Sequence, residues 1–469
     1  MIRTLFTLLL VVFVLVFYST AAEAAAKSPN FILIVADDLG WTDLACYGSD
    51  FYHSPNIDKL ARDGMRFTAN YSACTVCSPT RAALMTGKYP ARLHITDWIP
   101  GQMPENPKLI VPDFTKKLPL EEVTIAEKLK AAGYATASIG KWHLGGEAYY
   151  PERQGFDVNI AGTDFPQPKP GYFAPYNIAT IEQGPTGEYI TDRLTDEAVQ
   201  FIRDHKDKSF FLYLPHFAVH TPIQAKKDLV ARHEKRLREL GKTKHTNAAY
   251  AAMIDSLDQS VGRIRETLSE LGIADDTIII FTSDNGGRVP TTSNAPLRVG
   301  KGSAYEGGVR VPLIVDWPGV TKPGSESDVP TISMDLFPTI LAMTGQKSDP
   351  KALCDGVSLA PLLRQNGKLP DRALHWHYPH YQYYQQGGAT PYSAIRRGDN
   401  RLIEYLDDSR VELYNLRDDI GEQNNIADAN PELVKELRDE LHEWRKSVDA
   451  QMPTPNTKFD PSKPEHTRD

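Results

Sequence analysis

Four short apolar runs, rich in residues that favour strands, lie far apart along the chain: Phe31–Ala36, Tyr134–Ile139, Phe210–Leu214 and Thr277–Thr282. Runs this short that do not alternate with polar residues fit strands buried on both faces, as in a parallel sheet. Helical segments intervene. Residues 125–132 precede the second run and stop at Gly133. Ahead of the fourth, Ile254, Leu257, Val261, Ile264, Leu268 and Leu271 form a stripe at helical spacing, ended by Gly272. Strands alternating with helices predict an α/β fold: a large mixed, mostly parallel sheet sandwiched by helices.

The residues that follow each run carry the chemistry. The first leads into Asp37-Asp38, the second into Gly140-Lys141-Trp142-His143, the third into Pro215-His216 and His220-Thr221-Pro222, and the fourth into Ser283-Asp284-Asn285-Gly286-Gly287. Taken singly, each is an ordinary polar loop or turn. Ligand sites in open α/β sheets gather at the carboxyl ends of strands, and here four strands deliver carboxylates, lysines and histidines to that edge. Asp37, Asp38, Asp284 and Asn285 make an all-oxygen donor set suited to a hard divalent cation, Ca2+ or Mg2+. Without a cation these carboxylates would repel one another. Lys141 and Lys301 lie in glycine-flanked turns and bring positive charge, while His143 and His220 can move protons near neutral pH. His216 competes with His220, because both follow the third strand.

Cys77-Ser78-Pro79-Thr80-Arg81 places a thiol ahead of a proline suited to a helix start, and Gly87 suits the helix end. The positive end of that helix would face an anion. Only Cys46, Cys74, Cys77 and Cys354 occur, too few for a disulfide scaffold. Cys74 and Cys77 have the spacing of a redox pair or half a zinc site, but no second pair completes the zinc site, and neither reading explains Pro79 and Arg81.

Residues 1–26 read as a signal peptide: Arg3, an apolar stretch from Leu5 to Phe17, then small residues. The protein is expected to be exported, periplasmic or secreted, with no membrane span once the leader is removed. A net charge of −8 argues against nucleic acid as a partner and requires a local positive pocket or a metal for any anionic substrate. The expected division is a catalytic domain over 27–370, a C-terminal α+β subdomain over 371–450 with a small antiparallel sheet and a helix, and a loose tail over 451–469. The last helix is expected to start with Asn430 as N-cap and Pro431 at its first position.

The run from Cys77 to Arg81 resembles the sulfatase signature Cys-x-Pro-x-Arg. The chain is similar to the sulfatase family of the alkaline-phosphatase-like superfamily in six motifs, in order: Asp37-Asp38; Cys77 to Arg81; Gly140 to His143; His220-Thr221-Pro222; Asp284-Asn285; and Lys301 ahead of Glu306-Gly307-Gly308-Val309-Arg310. One departure is Pro215-His216-Phe217-Ala218-Val219-His220, where many relatives have His-Ala-Pro-His, so His220 keeps the role. The resemblance implies a formylglycine-dependent, type I, arylsulfatase-like enzyme. Cys77 would be converted to Cα-formylglycine by a formylglycine-generating enzyme. The hydrated aldehyde would attack sulfur and, through a covalent sulfo-enzyme intermediate, later expel sulfate.

The implied roles are cation binding by Asp37, Asp38, Cys77, Asp284 and Asn285, and positioning of the nucleophile by Arg81 and Lys141. Lys141 and Lys301 would balance sulfuryl charge, His220 would act as general acid and His143 would help the elimination. Lys141, Lys301 and His220 would also touch the substrate. Pocket loops are expected at 94–100, 149–176 and 375–384, with His94, Asp97 and His380 as further substrate contacts. A sulfated sugar or polysaccharide fragment is the expected substrate. The rivals are a phosphate or phosphonate ester hydrolase on the same scaffold and a catalytically silent glycan-binding protein.

Overall fold

The computed structural model describes residues 28–345, 353–382 and 389–463. Its large sheet contains β1 (Asn30–Ala36), β2 (Met65–Phe67), β3 (Ala135–Ile139), β4 (Val158–Ile160), β5 (Phe210–Pro215), β6 (Thr277–Ser283), β7 (Leu313–Asp316) and β8 (Ser325–Ser327). Their spatial order is β8-β2-β7-β6-β1-β5-β3-β4. Only β7 runs against the rest, pairing antiparallel with β2 and β6. The four runs expected as strands are β1, β3, β5 and β6, with boundaries moved by at most one residue.

β1 is buried along its whole length, and Ile34 pairs with Leu214 on one side and Phe281 on the other. Successive side chains leave opposite faces of the strand. Ile32 and Ile34 join a core with Leu194 of helix Ile190–Asp204 and with Ile254, Leu257 and Val261 of helix Ala248–Glu270. Phe31, Leu33 and Val35 join the opposite core with Met85 of helix Cys77–Thr86, Leu129 of helix Ile125–Ala131 and Ile340 of helix Leu336–Met343. Helices on both faces therefore account for the unbroken apolar strand sequence.

Local chemistry fixes where these helices start and stop. Thr124 and Glu127 form a capping box at the start of Ile125–Ala131, and Asn247 Oδ1 accepts from Tyr250 N at 3.1 Å at the start of Ala248–Glu270. Gly133 and Gly272, just beyond the two helices, take φ of +88° and +67°.

A second sheet is an antiparallel meander of β9 (Ala373–Tyr378), β10 (Tyr392–Arg397), β11 (Asn400–Tyr405) and β12 (Val411–Asn415). Leu437 and Leu441 of helix Pro431–Ser447 pack on Ile395, Leu402 and Leu413 of this sheet. Asn430 stands at the N-cap position, but its side chain does not cap; Nδ2 donates back to Ile426 O at 2.8 Å. A buried charge cluster joins the two sheets. Glu306 accepts from Tyr71 Oη at 2.7 Å and from Arg310 and Arg401, each at 3.1 Å, while its N–H donates to Glu422 at 2.7 Å.

Two expectations about this region need correction. Residues 375–378 form the buried part of β9 rather than a pocket loop, because their alternating side chains meet core on both sides; Tyr383 and Tyr384 lie outside the described residues. Nor are residues 451–463 a loose tail. Thr454–Pro455 pair with Leu109–Ile110, and Asn456 donates from its N–H to Lys108 O at 3.0 Å and from Nδ2 to Pro107 O at 2.7 Å. These backbone and amide bonds hold a polar segment that has little apolar surface to bury. The expected leader, 1–26, also lies outside the described residues; among the described ones no helix is long and apolar enough to cross a membrane.

Candidate active site

Helix Cys77–Thr86 is buried at every residue. It starts at Cys77 itself, so Pro79 is the third helical residue rather than the first, still within the turn whose N–H groups have no helical partner. Thr80 Oγ1 accepts from Cys74 N at 3.1 Å, and Ser78 Oγ accepts from Ile99 N at 3.1 Å, so both hydroxyls tie incoming loops to the helix start. Gly87 ends the helix at φ +71°, with its N–H on Ala83 O at 2.9 Å. All four cysteines are free thiols, which removes the redox-pair reading as a disulfide in this structure. Burial pushes the Cys77 thiol up, opposed by Lys141 and Lys301.

The strand ends converge on that thiol. Single oxygens of Asp37 and Asp284 and the sulfur of Cys77 lie within 4.8 Å of one another. Asn285 Nδ2 donates to Asp38 Oδ1 at 2.8 Å, and Asp38 N donates to Asp284 Oδ1 at 3.2 Å. Three buried oxygens, Asp37 Oδ1, Asp38 Oδ2 and Asn285 Oδ1, have no hydrogen-bond partner. Burying such acceptors without a partner is costly, and a hard cation supplies what they lack.

Cations surround this cluster. Lys141 Nζ lies 2.7 Å from Asp37 Oδ2, and Lys301 Nζ lies 2.6 Å from Asp38 Oδ1 and 4.0 Å from Cys77 Sγ. Gly140 makes the Lys141 placement feasible: its φ is +126°, and a Cβ there would sit 2.0 Å from Pro215 O. Burial pushes the Asp37 carboxyl up against the pull of Lys141. Burial also raises Asp38, but Lys301 and His220 outweigh it and hold that carboxyl below the usual range. Arg81 donates from Nε and Nη2 to Asp284 Oδ2, and from Nη1 to Lys141 O at 3.0 Å. Its guanidinium is thus engaged by the carboxylate and by the backbone that carries Lys141.

The histidines separate into two kinds. His143 Nε2 lies 2.6 Å from Ile99 O; a carbonyl only accepts, so the proton is on Nε2 and the buried Nδ1 keeps its lone pair. Burial, followed by Lys141, holds this ring well below the usual histidine range. His220 donates from Nδ1 to Thr221 O at 2.7 Å and turns Nε2 toward Asp38 Oδ2, 3.7 Å away. Burial lowers it to about 3 despite the pull of Asp38. His216 instead reaches into the core, with Nε2 3.0 Å from Ser260 Oγ on helix Ala248–Glu270, and burial alone lowers it to about 3. Of the two, His220 is the one that faces the carboxylate cluster.

Residues 29–346 match the family described as Sulfatase, and residues 299–447 match the C-terminal region described as N-sulphoglucosamine sulphohydrolase, C-terminal. The chain is 35% identical to a Formosa agariphila protein named Sulfatase, over 91% of this chain and 90% of that one.

The chain belongs to the sulfatase family.

It is a sulfuric ester hydrolase on an alkaline-phosphatase-like fold, and it hydrolyses sulfate esters. It is also 34% identical to human N-acetylgalactosamine-6-sulfatase, over 76% of this chain and 69% of the relative. The solved structure of Ps i-CgsB in complex with k-i-k-neocarrahexaose superposes with a TM-score of 0.77 at 30% identity, over 93% of this chain and 96% of that one.

In this sulfatase a cleft of about 180 Å³ opens over the cluster, lined by Cys77, His220 and Lys301 together with Trp98, Gln167 and Arg288. A larger cleft of about 510 Å³, lined in part by Asn56, Arg265, Thr277 and Asp316, lies at the opposite end of β6, away from these groups. His94, Asp97 and His380, expected as substrate contacts, do not line the smaller cleft. His94 Nε2 is 2.8 Å from Asp449 O, and His380 Nε2 is 2.8 Å from Thr96 Oγ1. Asp97 Oδ1 accepts from Tyr378 Oη at 2.7 Å and from Trp98 N at 2.9 Å. All three anchor the 94–100 loop to the C-terminal sheet and its flanking segments; the loop reaches the cleft through Trp98.

Sequence reasoning missed Trp98, Gln167 and Arg288 as individual residues. The signal for Arg288 was its place directly after the Asp284-Asn285-Gly286-Gly287 turn. It also missed Asp43, a buried carboxylate that accepts from Gly40 N at 2.8 Å, Tyr250 Oη at 2.7 Å and Thr292 Oγ1 at 2.6 Å. Tyr250 Oη also lies 3.1 Å from Asp38 O, where Asp38 takes φ +62°. Asp43 therefore locks the loop that presents the two aspartates.

Proposed function

We propose that this sulfatase cleaves the sulfate ester of a sulfated sugar, with position 77 as formylglycine and a Ca2+ or Mg2+ ion held by Asp37, Asp38, Asp284 and Asn285. The observation that carries the reading is the set of three buried, unpartnered oxygens on Asp37, Asp38 and Asn285 beside Cys77. The donor chemistry fits a hard cation, with oxygen atoms and no histidine among the four residues. When bound, such an ion supplies Lewis-acid stabilisation of negative charge on sulfate oxygens. Formylglycine supplies a hydrated aldehyde, whose two hydroxyls on one carbon allow attack on sulfur and later release of sulfate. A serine has no second hydroxyl with which to do this.

The chain's own residues then take defined parts. The N–H groups opening helix Cys77–Thr86, with Lys141 and Lys301, orient an anion above position 77. Arg81 commits three of its five N–H groups to Asp284 and to Lys141 O, and so positions the groups around the nucleophile. His143 Nδ1 offers the lone pair that takes a proton at position 77. His220 Nε2 faces the cleft, and a bound sulfate ester adds negative charge that raises its proton affinity, so that it can protonate the departing alcohol. Trp98 gives a flat face against which a sugar ring can stack.

The relatives named above support the sugar: one is named for N-acetylgalactosamine 6-sulfate, and one was solved with k-i-k-neocarrahexaose. The same reading takes residues 1–26 as an export leader, 27–370 as the catalytic domain, 371–450 as the C-terminal subdomain, and a formylglycine-generating enzyme as the maturation partner. The test is hydrolysis of matched sulfate and phosphate esters, aryl and sugar, by protein made with that maturation enzyme. Release of sulfate from sugars supports the reading; turnover of aryl sulfate with no sugar sulfate cleaved would sink the sugar assignment.

A further inference from the structure

Residues 226–244 carry eight Lys and Arg against three Asp and Glu, a local excess of five positive charges in a chain whose net charge is −8. Most of them lie on helix Lys227–Leu240, a rod about 20 Å long. Leu229 and His233 are buried on its inner side, and Leu237 packs against the core beside them. The outer side is cationic. Arg232, Lys235, Arg236 and Glu239, three and four residues apart, line a cleft of about 310 Å³ with His53. Arg232 pairs with Asp255, while Lys235 stands 3.9 Å from Glu239, an exposed pair that adds little. Lys227, Arg238, Lys242 and Lys244 are exposed and have no ion pair among the described residues.

Both ends of this segment are fixed to the elements that carry the active site. Ahead of the helix, Thr221 lines the cleft over Cys77. Gln224 follows it, accepting at Oε1 from Tyr172 N and at its carbonyl from Tyr189 Oη, each at 2.9 Å. Beyond the helix, His245 Nε2 lies 3.0 Å from Ser293 O and 3.5 Å from Asp43, the residue that locks the turn bearing Asp37 and Asp38. The basic face is therefore a fixed neighbour of the cleft.

The cleft over Cys77, at about 180 Å³, is smaller than those that enclose a drug-sized molecule, so a chain attached to the reacting sugar must leave it. In a protein of net charge −8, a face that serves only solubility needs no excess of the opposite sign. An excess beside a sulfate-ester site fits a partner bearing many sulfates. Once one residue of such a partner is seated in the cleft, weak contacts along the helix add to its affinity as intramolecular ones. A nucleic acid offers the charge but no sulfate ester for the cleft.

Resting on the sugar-sulfate reading above, we propose that the outer face of helix Lys227–Leu240, continued by Lys242 and Lys244, binds the anionic remainder of a sulfated polysaccharide whose reacting residue occupies the cleft over Cys77. The enzyme then favours polymeric, multiply sulfated glycans over short ones.

The test measures binding by full-length Cys77→Ala, in which position 77 cannot mature, to a sulfated galactan, the same galactan after desulfation, and a DNA duplex. The sulfated galactan is expected to bind most tightly, with an affinity that falls as salt rises. Reversing three exposed charges together, Lys235→Glu, Arg238→Glu and Lys242→Glu, is expected to weaken that binding about tenfold or more. The milder set Lys235→Gln, Arg238→Gln and Lys242→Gln loses less. In matured enzyme carrying either set, kcat/KM on the sulfated galactan falls relative to that on 4-methylumbelliferyl sulfate. Thermal melting checks that the variants fold, and the salt, desulfation and DNA comparisons need no variant. Unchanged galactan affinity in a folded reversal variant overturns the proposal, as does binding that ignores salt or desulfation, or DNA bound as tightly as the sulfated galactan. The two failures are separable. Short sugar sulfates cleaved while polymer binding ignores the helix overturn only the helix assignment, whereas cleavage of aryl sulfate alone overturns the sugar reading beneath it.

Discussion

Arg81 grips Asp284 through two donors on one oxygen, with Nε at 3.0 Å and Nη2 at 2.7 Å from Oδ2, and both side chains are fully buried. The contact joins the helix that begins at Cys77 to the end of β6, so position 77 and the carboxylate proposed to hold the cation move as one unit. Arg81→Lys keeps the charge but loses the fork and the bond to Lys141 O. The expected outcome is calcium affinity weakened about 10- to 100-fold, read by calorimetric titration, with a parallel fall in kcat/KM.

Removing the cation should destabilise the protein as well as silence it. Asp37, Asp38 and Asp284 converge while three oxygens of the cluster have no hydrogen-bond partner. Treatment with a chelator is expected to lower the melting temperature, and added Ca2+ or Mg2+ to restore it in proportion to affinity. Scanning calorimetry with each ion in turn checks this and ranks the two metals.

Asp43 contacts neither the thiol nor the substrate cleft, yet its three accepted bonds lock the Asp37–Gly40 turn. Asp43→Asn turns an amide donor toward one of those donors. The expected result is calcium binding weakened about tenfold or more, with a smaller loss of thermal stability. Titration of the folded variant with calcium checks it, and unchanged affinity would exclude the positioning role.

The Glu306 cluster predicts a different phenotype. Glu306→Gln leaves Arg310 and Arg401 buried around a neutral amide, at a cost of about 3–5 kcal/mol. Denaturant unfolding should show that loss, while KM for an aryl sulfate stays near the wild-type value in the fraction that remains folded. A large rise in KM would instead place the cluster in substrate binding.

The sheet and the convergent site were legible because each rests on short-range pattern. Unbroken apolar runs report burial on both faces, and polar residues immediately after a strand fall at one edge of a parallel sheet, so Asp37, Lys141, His220 and Asp284 were found together. His216 and His220 could not be separated by sequence, since the outcome depends on a partner on another element, Ser260. The same limit explains His94, Asp97 and His380. Polar residues on an aromatic-rich loop read as sugar contacts, but their partners are Asp449, Tyr378 and Thr96, which only the folded chain brings near. Arg81 sits one helical turn from position 77 by spacing alone, whereas its grip on Asp284 depends on an element about 200 residues away that only the fold brings near.

The most direct measurement of the central claim is mass spectrometry of the tryptic peptide Phe67–Arg81 from active protein made in its native host. Position 77 is predicted to carry the mass of the aldehyde or its hydrate in the molecules that turn over sulfate ester. An unmodified cysteine throughout fully active protein would contradict the account.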